Sequence, residues 1–173
     1  MEQGVDKHVD LQGSSAKRKV RLAITWKGKL DILFSNAGIG GIASSITSLD
    51  MEQVKHLISI NLIGKVHAIK HAERAMLICT TKGSIIFTSS STGIIGGLAS
   101  RSYSFSKAGV HGIHVNCISP HGVPTDMLTL VGEEGILLRG KAATVEDVAQ
   151  TAVFLASDDT GFITAHNLVI DGG

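Results

Sequence analysis

From residue 30 onward, apolar residues follow two alternating rhythms. Residues 30–35 (LDILFS), 84–89 (SIIFTS), 114–118 (HVNCI) and 167–170 (NLVI) are short apolar runs. They end in turn-forming residues, Asn36-Ala37-Gly38 after the first and Asp171-Gly172-Gly173 after the last. Runs of this length and setting predict buried parallel strands. Between them the apolar period lengthens. Val54, Leu57, Ile58, Leu62, Val66 and Ile69 recur at helical spacing behind Asp50, which is suited to cap the start. A second helix contains Tyr103 to about Val110, and a third covers residues 145–157. Thr144 caps the third, with Glu146 and Asp147 in the first turn, where they complement the helix dipole. Strands alternating with helices predict an α/β fold with a parallel sheet and right-handed crossovers.

Ahead of these elements the pattern is weaker. Residues 1–19 are polar and unpatterned and read as a poorly ordered lead-in to a single domain over 20–173. Residues 20–27 (VRLAITWK) fit a short helix or a strand equally.

The length of 173 residues suits one domain, and 43% hydrophobic with 18% charged residues is a globular composition. Sixteen basic against fifteen acidic residues leave +1, so no broad field favours nucleic acid or an anionic membrane. The short basic cluster Lys17-Arg18-Lys19 with Arg21 reads as solvated surface. Cys79 and Cys117 form no C-x-x-C pair and read as small buried hydrophobes, not as a disulfide or zinc framework. His67 and His71 lie four apart without a third ligand, so no metal is expected. The first ten residues contain no apolar signal core and no apolar run reaches membrane-spanning length, so the expected location is the cytoplasm.

The strongest chemical constellation is Tyr103 and Lys107, four apart on a helix, with Ser90 thirteen residues before the tyrosine. Positions i and i+4 share a helix face, so the Lys107 ammonium can approach the phenol. A free phenol has a pKa near ~10 and is a poor base at neutral pH. A nearby cation lowers it. Ser90, at the mouth of the preceding strand, can hold the same substrate oxygen. The three together suit proton transfer at an alcohol or carbonyl oxygen. Y-x-x-x-K alone occurs by chance in many helices. Its setting behind a strand ending in Thr88-Ser89-Ser90 is what marks it, because parallel sheets bind ligands at the carboxyl ends of their strands.

With these residues the chain resembles the short-chain dehydrogenase/reductase family, and within it the plant group that includes secoisolariciresinol and xanthoxin dehydrogenases. Six stretches match in the family's order: KLDILFSNAGI at 29–39, INLIGKVHAIKHAERAM at 60–76, GSIIFTSSSTG at 83–93, YSFSKAGV at 103–110, HVNCISPHGVPTDM at 114–127 and 145–173. The resemblance implies a Rossmann-like doubly wound parallel sheet and an NAD- or NADP-dependent enzyme interconverting a secondary alcohol and a ketone on a small apolar metabolite. It implies Tyr103 as general acid/base, with Lys107 lowering its pKa and holding the nicotinamide ribose. Ser90 would orient the substrate oxygen. Asn61 would be the asparagine whose local helix distortion holds a water in a proton relay. Asn36, Ala37 and Gly38 match the turn on the adenosine side of the cofactor, with Ser35 replacing the family's first asparagine. Pro120, Gly122, Val123 and Thr125 match the segment contacting the nicotinamide carboxamide and phosphates.

The family also has a first βαβ unit with a T-G-x-x-x-G-x-G loop that receives the pyrophosphate at a helix N-terminus. No counterpart is found before Lys29, so the expected sheet lacks its first βαβ unit and the strand at 30–35 has an open edge. Residues 20–25 (VRLAIT) are the expected substitute edge strand. Gly38–Ala43 formally matches G-x-G-x-x-A but reads as a decoy, since it continues from the N-A-G turn without the downstream acidic partner. The Tyr103 helix, whose family counterpart supplies a dimer interface, and the lid region 128–141 are both short for the family. A homo-oligomer with a weakened interface is expected. The alternative function is a catalytically inactive, truncated homologue that at most associates with full-length members.

Overall fold

A computed structural model describes residues 14–42, 44–95, 99–111, 115–127 and 142–172. Its core is a four-stranded sheet of β1 (Ile32–Ser35), β2 (Ser84–Thr88), β3 (Asn116–Pro120) and β4 (Asn167–Ile170). The strands lie in the order β1-β2-β3-β4 and every pairing is parallel. The register sets Phe34 beside Ile86 and Ile86 beside Asn116, so alternate residues sort cleanly to two faces.

One face carries three helices. Helix α1 (Ser14–Lys27) places Val20 and Ile24 against Ala72 and Ala75 of α3 (Gly64–Ile78), above Leu33 and Ile85. The alanines let the two helix backbones come close. Helix α4 (Arg101–His111) sets Val110 on Phe87 and Cys117. On the opposite face, among the described residues, α5 (Val145–Ala156) packs, with Ala152 and Leu155 on Ile86 and Ile118. Full burial of an aliphatic or aromatic side chain contributes roughly 1.5–3 kcal/mol, and Ile86, Phe87 and Ile118 are all completely buried.

Local chemistry explains the helix starts. Asp50 caps α2 (Met51–Ile58), its carboxylate accepting from the Glu52 N–H at 2.9 Å. Thr144 and Asp147 form a reciprocal capping box at α5, each side chain accepting the other residue's backbone N–H. Helix α2 runs into α3 through a π-helical turn, Ser59–Ile63.

Several expectations are corrected. Residues 20–27 are helix, and the helix begins at Ser14, so residues 14–19 belong to it and are not lead-in; residues 1–13 lie outside the described set. VRLAIT is therefore no substitute edge strand: Val20 and Ile24, one turn apart, find a partner face on α3, and α1 lies on the sheet instead of beside it. Lys17, Arg18, Lys19 and Arg21 are exposed on its outer side. Strand β3 covers 116–120, two residues beyond the expected run, because its ladder to β4 extends to Pro120–Ile170. The crossovers do not share one hand. The strands step sideways in one direction while α5 has changed face, so the β3–β4 connection has the opposite hand to the two before it. The α3/α4 face is already occupied. Cys117 is buried, but Cys79 caps the end of α3 and is only half-buried.

Candidate active site

The carboxyl ends of β1, β2 and β3 open onto one cavity of about 480 Å³. Asn36, Ala37 and Gly38 reach it from β1, Thr88 to Thr92 from β2, and Pro120 to Val123 with Thr125 from β3. Tyr103 and Lys107 project from α4, and Val145, Val148 and Ala149 from α5 close the far side. Every candidate catalytic and cofactor-binding residue named from the sequence lines this cavity except Asn61, which is buried beside it.

Ser90 is held in extended backbone at the start of a short turn, Ser91–Gly93. Its Oγ accepts from Thr92 N at 3.3 Å and from Thr92 Oγ1 at 3.0 Å, and it shares a hydrogen bond with the Tyr103 phenol. Tyr103 and Lys107 are one turn apart, as the spacing requires. The Lys107 Nζ lies 5.4 Å from the centre of the tyrosine ring and donates to Thr88 O at 3.4 Å.

The expected lowering of the Tyr103 pKa by Lys107 is not found. Burial pushes the phenol above its ordinary value, and the Ser90 hydrogen bond opposes that shift. The ammonium sits near the ring, not on the phenol oxygen, and burial has itself lowered the Lys107 pKa to about 8.

Asn61 occupies the π-helical turn and is completely buried. Its Oδ1 accepts from Ile39 N at 2.9 Å, while its Nδ2 donates to Ile39 O at 3.0 Å and to Ser106 Oγ at 3.1 Å. Ser106 in turn donates to Tyr103 O at 2.8 Å. Asn61 thus ties the turn after β1 to the helix that carries Tyr103. Gly38 lies in the same joint: a Cβ there would come within 3.3 Å of Asn61 Oδ1 and 3.4 Å of Lys107 Nζ.

The described part of the G-x-G-x-x-A run, residues 38–42, shows no phosphate-loop geometry. Gly41 packs against Ser100, Ser102 and Leu57, leaving no room for a Cβ. The next α-helix in the chain begins only at Met51, so no helix follows the loop directly as it would after a phosphate-binding turn; Ala43 lies outside the described residues. The lid region 128–141 lies outside them as well.

Three residues of the site carry no sequence signal. His121 lines the cavity with its Nδ1 2.7 Å from Ser91 Oγ, and the Met127 sulfur accepts from the Tyr103 hydroxyl at 3.9 Å. Lys65 on α3 is buried beneath the turn after β1. Among the described residues no group of three metal-ligating side chains exists.

A parallel sheet with its cavity at the carboxyl strand ends belongs to the ligand-binding α/β class. Within that class, a family model described as "Enoyl-(Acyl carrier protein) reductase" matches residues 8–173. The chain is 44% identical over 202 residues to Arabidopsis thaliana short-chain dehydrogenase reductase ATA1, covering 98% of this chain and 72% of that protein. It is 38% identical to (+)-borneol dehydrogenase 1 of Salvia officinalis, over 96% of this chain and 73% of that one. Carveol dehydrogenase from Mycobacterium avium in complex with NAD superposes with a TM-score of 0.84 at 26% identity, covering 95% of this chain and 72% of that chain. ElxO with NADP bound gives 0.85 at 27%, covering 95% and 75%. The chain belongs to the short-chain dehydrogenase/reductase family, a family of NAD(P)-dependent oxidoreductases with a Rossmann fold. The match begins at residue 8, well before the first legible motif at residue 29.

Proposed function

We propose that this chain interconverts a small apolar secondary alcohol and its ketone, with a nicotinamide nucleotide as redox partner. The observation that supports it most is the convergence of Ser90, Tyr103 and Lys107 on one cavity that Pro120, Gly122, Val123 and Thr125 also line. Phe34, Met127, Val145 and Val148 give the cavity an apolar side. Relatives named for borneol and carveol point to the same substrate class.

The nicotinamide end of the nucleotide fits these residues: Gly38 keeps space open beside the Lys107 ammonium, and the hydroxyls of Tyr103, Ser90 and Thr125 supply polar contacts. When bound, the nucleotide supplies or accepts the hydride. Tyr103 moves the proton at the substrate oxygen. Its raised pKa keeps the phenol protonated at neutral pH, so it acts first as the acid of carbonyl reduction. Ser90 holds the same oxygen through its hydroxyl. Lys107, beside the tyrosine ring, would hold the ribose of the bound nucleotide, and Asn61 positions α4 through Ser106. Cytoplasmic placement goes with this reading; no helix among the described residues is long and apolar enough to cross a membrane.

Titration with NADH and with NADPH, followed by nicotinamide fluorescence, tests the proposal. Saturable binding of either at submillimolar concentration is expected. No binding at millimolar concentration of both overturns it in favour of an inactive homologue.

A further inference from the structure

Lys65 is the most unusual charge in the molecule. It sits in α3 at 1% exposure, one helical turn after Asn61 and on the same side of the rod. Its Nζ donates to Ser35 O at 2.9 Å and to Ala37 O at 3.2 Å, and lies 5.8 Å from the Phe87 ring centre. Asn61 takes the next alternate carbonyl, that of Ile39. The carbonyls of residues 35, 37 and 39 are therefore all held by two side chains of one helix face.

We propose that Lys65 is a positioning residue of the active site: its ammonium clasps the Ser35 and Ala37 carbonyls and, together with Asn61, fixes the turn that forms the β1 wall of the cavity. The clasp itself rests on the hydrogen bonds above; its consequence for cofactor binding rests on the oxidoreductase reading.

A buried ammonium is costly, and two backbone carbonyls and the Phe87 ring offset part of that cost. No carboxylate pairs with it among the described residues. Lys107 from α4 repels it, Cys117 from β3 slightly favours its charge, and burial is the largest influence, so its pKa falls from 10.5 to about 7. A side chain kept only for packing would be better apolar here. The sign of the linkage follows. Between about pH 7 and 10.5 the unfolded chain binds a proton at this lysine that the folded chain has lost, so stability rises with pH across that window.

The test compares the unaltered chain with Lys65→Met, which keeps the length and removes the donors. Hydrogen exchange at the amides of Ala37–Ile39 is expected to quicken about tenfold, while β4 is unchanged. Thermal stability at pH 7 should be equal or higher, the rise in stability between pH 7 and 8 should flatten, and NADH should bind about tenfold more weakly. Unchanged protection at Ala37–Ile39 overturns the clasp. Should Lys65→Met not fold, the unaltered chain decides: the Ala37–Ile39 amides should exchange at least about tenfold more slowly than in an unstructured peptide, and unprotected amides overturn the proposal. If the unaltered chain binds no NADH, the oxidoreductase reading fails while the exchange result still judges the clasp.

Discussion

Phe34 and Ile86 are register partners on neighbouring strands and point to the same face of the sheet, yet Phe34 is 41% exposed and Ile86 is completely buried. The difference is α5, which covers β2 and β3 and stops short of β1. On the other face β1 is well covered, because Leu33 packs under α1 and α3. The sheet thus has a centre walled on both sides and a border walled on one. Ser90, Tyr103 and Lys107 hang from the walled centre. The β1 wall of the cavity lacks a second layer, and side chains from the helix beneath, Asn61 and Lys65, hold its turn in place. Rigid packing positions one half of the site and discrete hydrogen bonds position the other.

The largest effect should fall on the central half. Tyr103→Phe keeps the ring and removes the proton; turnover should drop by roughly 10²–10⁴-fold with NADH affinity within about twofold. An active variant would break the assignment of acid–base chemistry to α4. The packing contrast is sharpened by two isoleucines on the same face. Ile118→Ala, at a fully buried position under α5, should cost ~2–5 kcal/mol in denaturant unfolding. Ile32→Ala on β1, where the side chain is 47% exposed, should cost under about 1 kcal/mol. Equal losses would mean that β1 is covered on both faces in solution. An effect smaller than that at Ile118 concerns the helix that makes the difference: Thr144→Ala removes half the capping box of α5 and should lower stability by ~1 kcal/mol. A neutral result would show that packing alone holds α5.

Much of this could be read in the residue order. The strand at 167–170 appears where its short apolar run lies, and Asp50 and Thr144 cap the helices they precede. These are local matters of hydrogen-bond donors, charge and apolar period. Ser90, Tyr103 and Lys107 were visible as a spacing, and the fold brings them to one cavity. Other features were not legible. The apolar period of SINLI does not announce a π-helical turn; only the family resemblance implied a distortion at Asn61, and its effect shows through what Asn61 bonds across the chain. Lys65 lies in a helical pattern where a lysine normally means solvent.

What the sequence determined by itself is the alternation of strands and helices and the i, i+4 pairing of Tyr103 with Lys107, because both depend on neighbours within a few residues. Only the tertiary structure decided that residues 20–27 are helix, since the run suits either state until Ala72 and Ala75 offer a surface. It alone decided that Lys107 lies beside the tyrosine ring, that burial raises the phenol's pKa, and that Lys65 turns inward. Desolvation and long-range hydrogen bonds depend on what surrounds a group, and those surroundings come from segments distant in the chain.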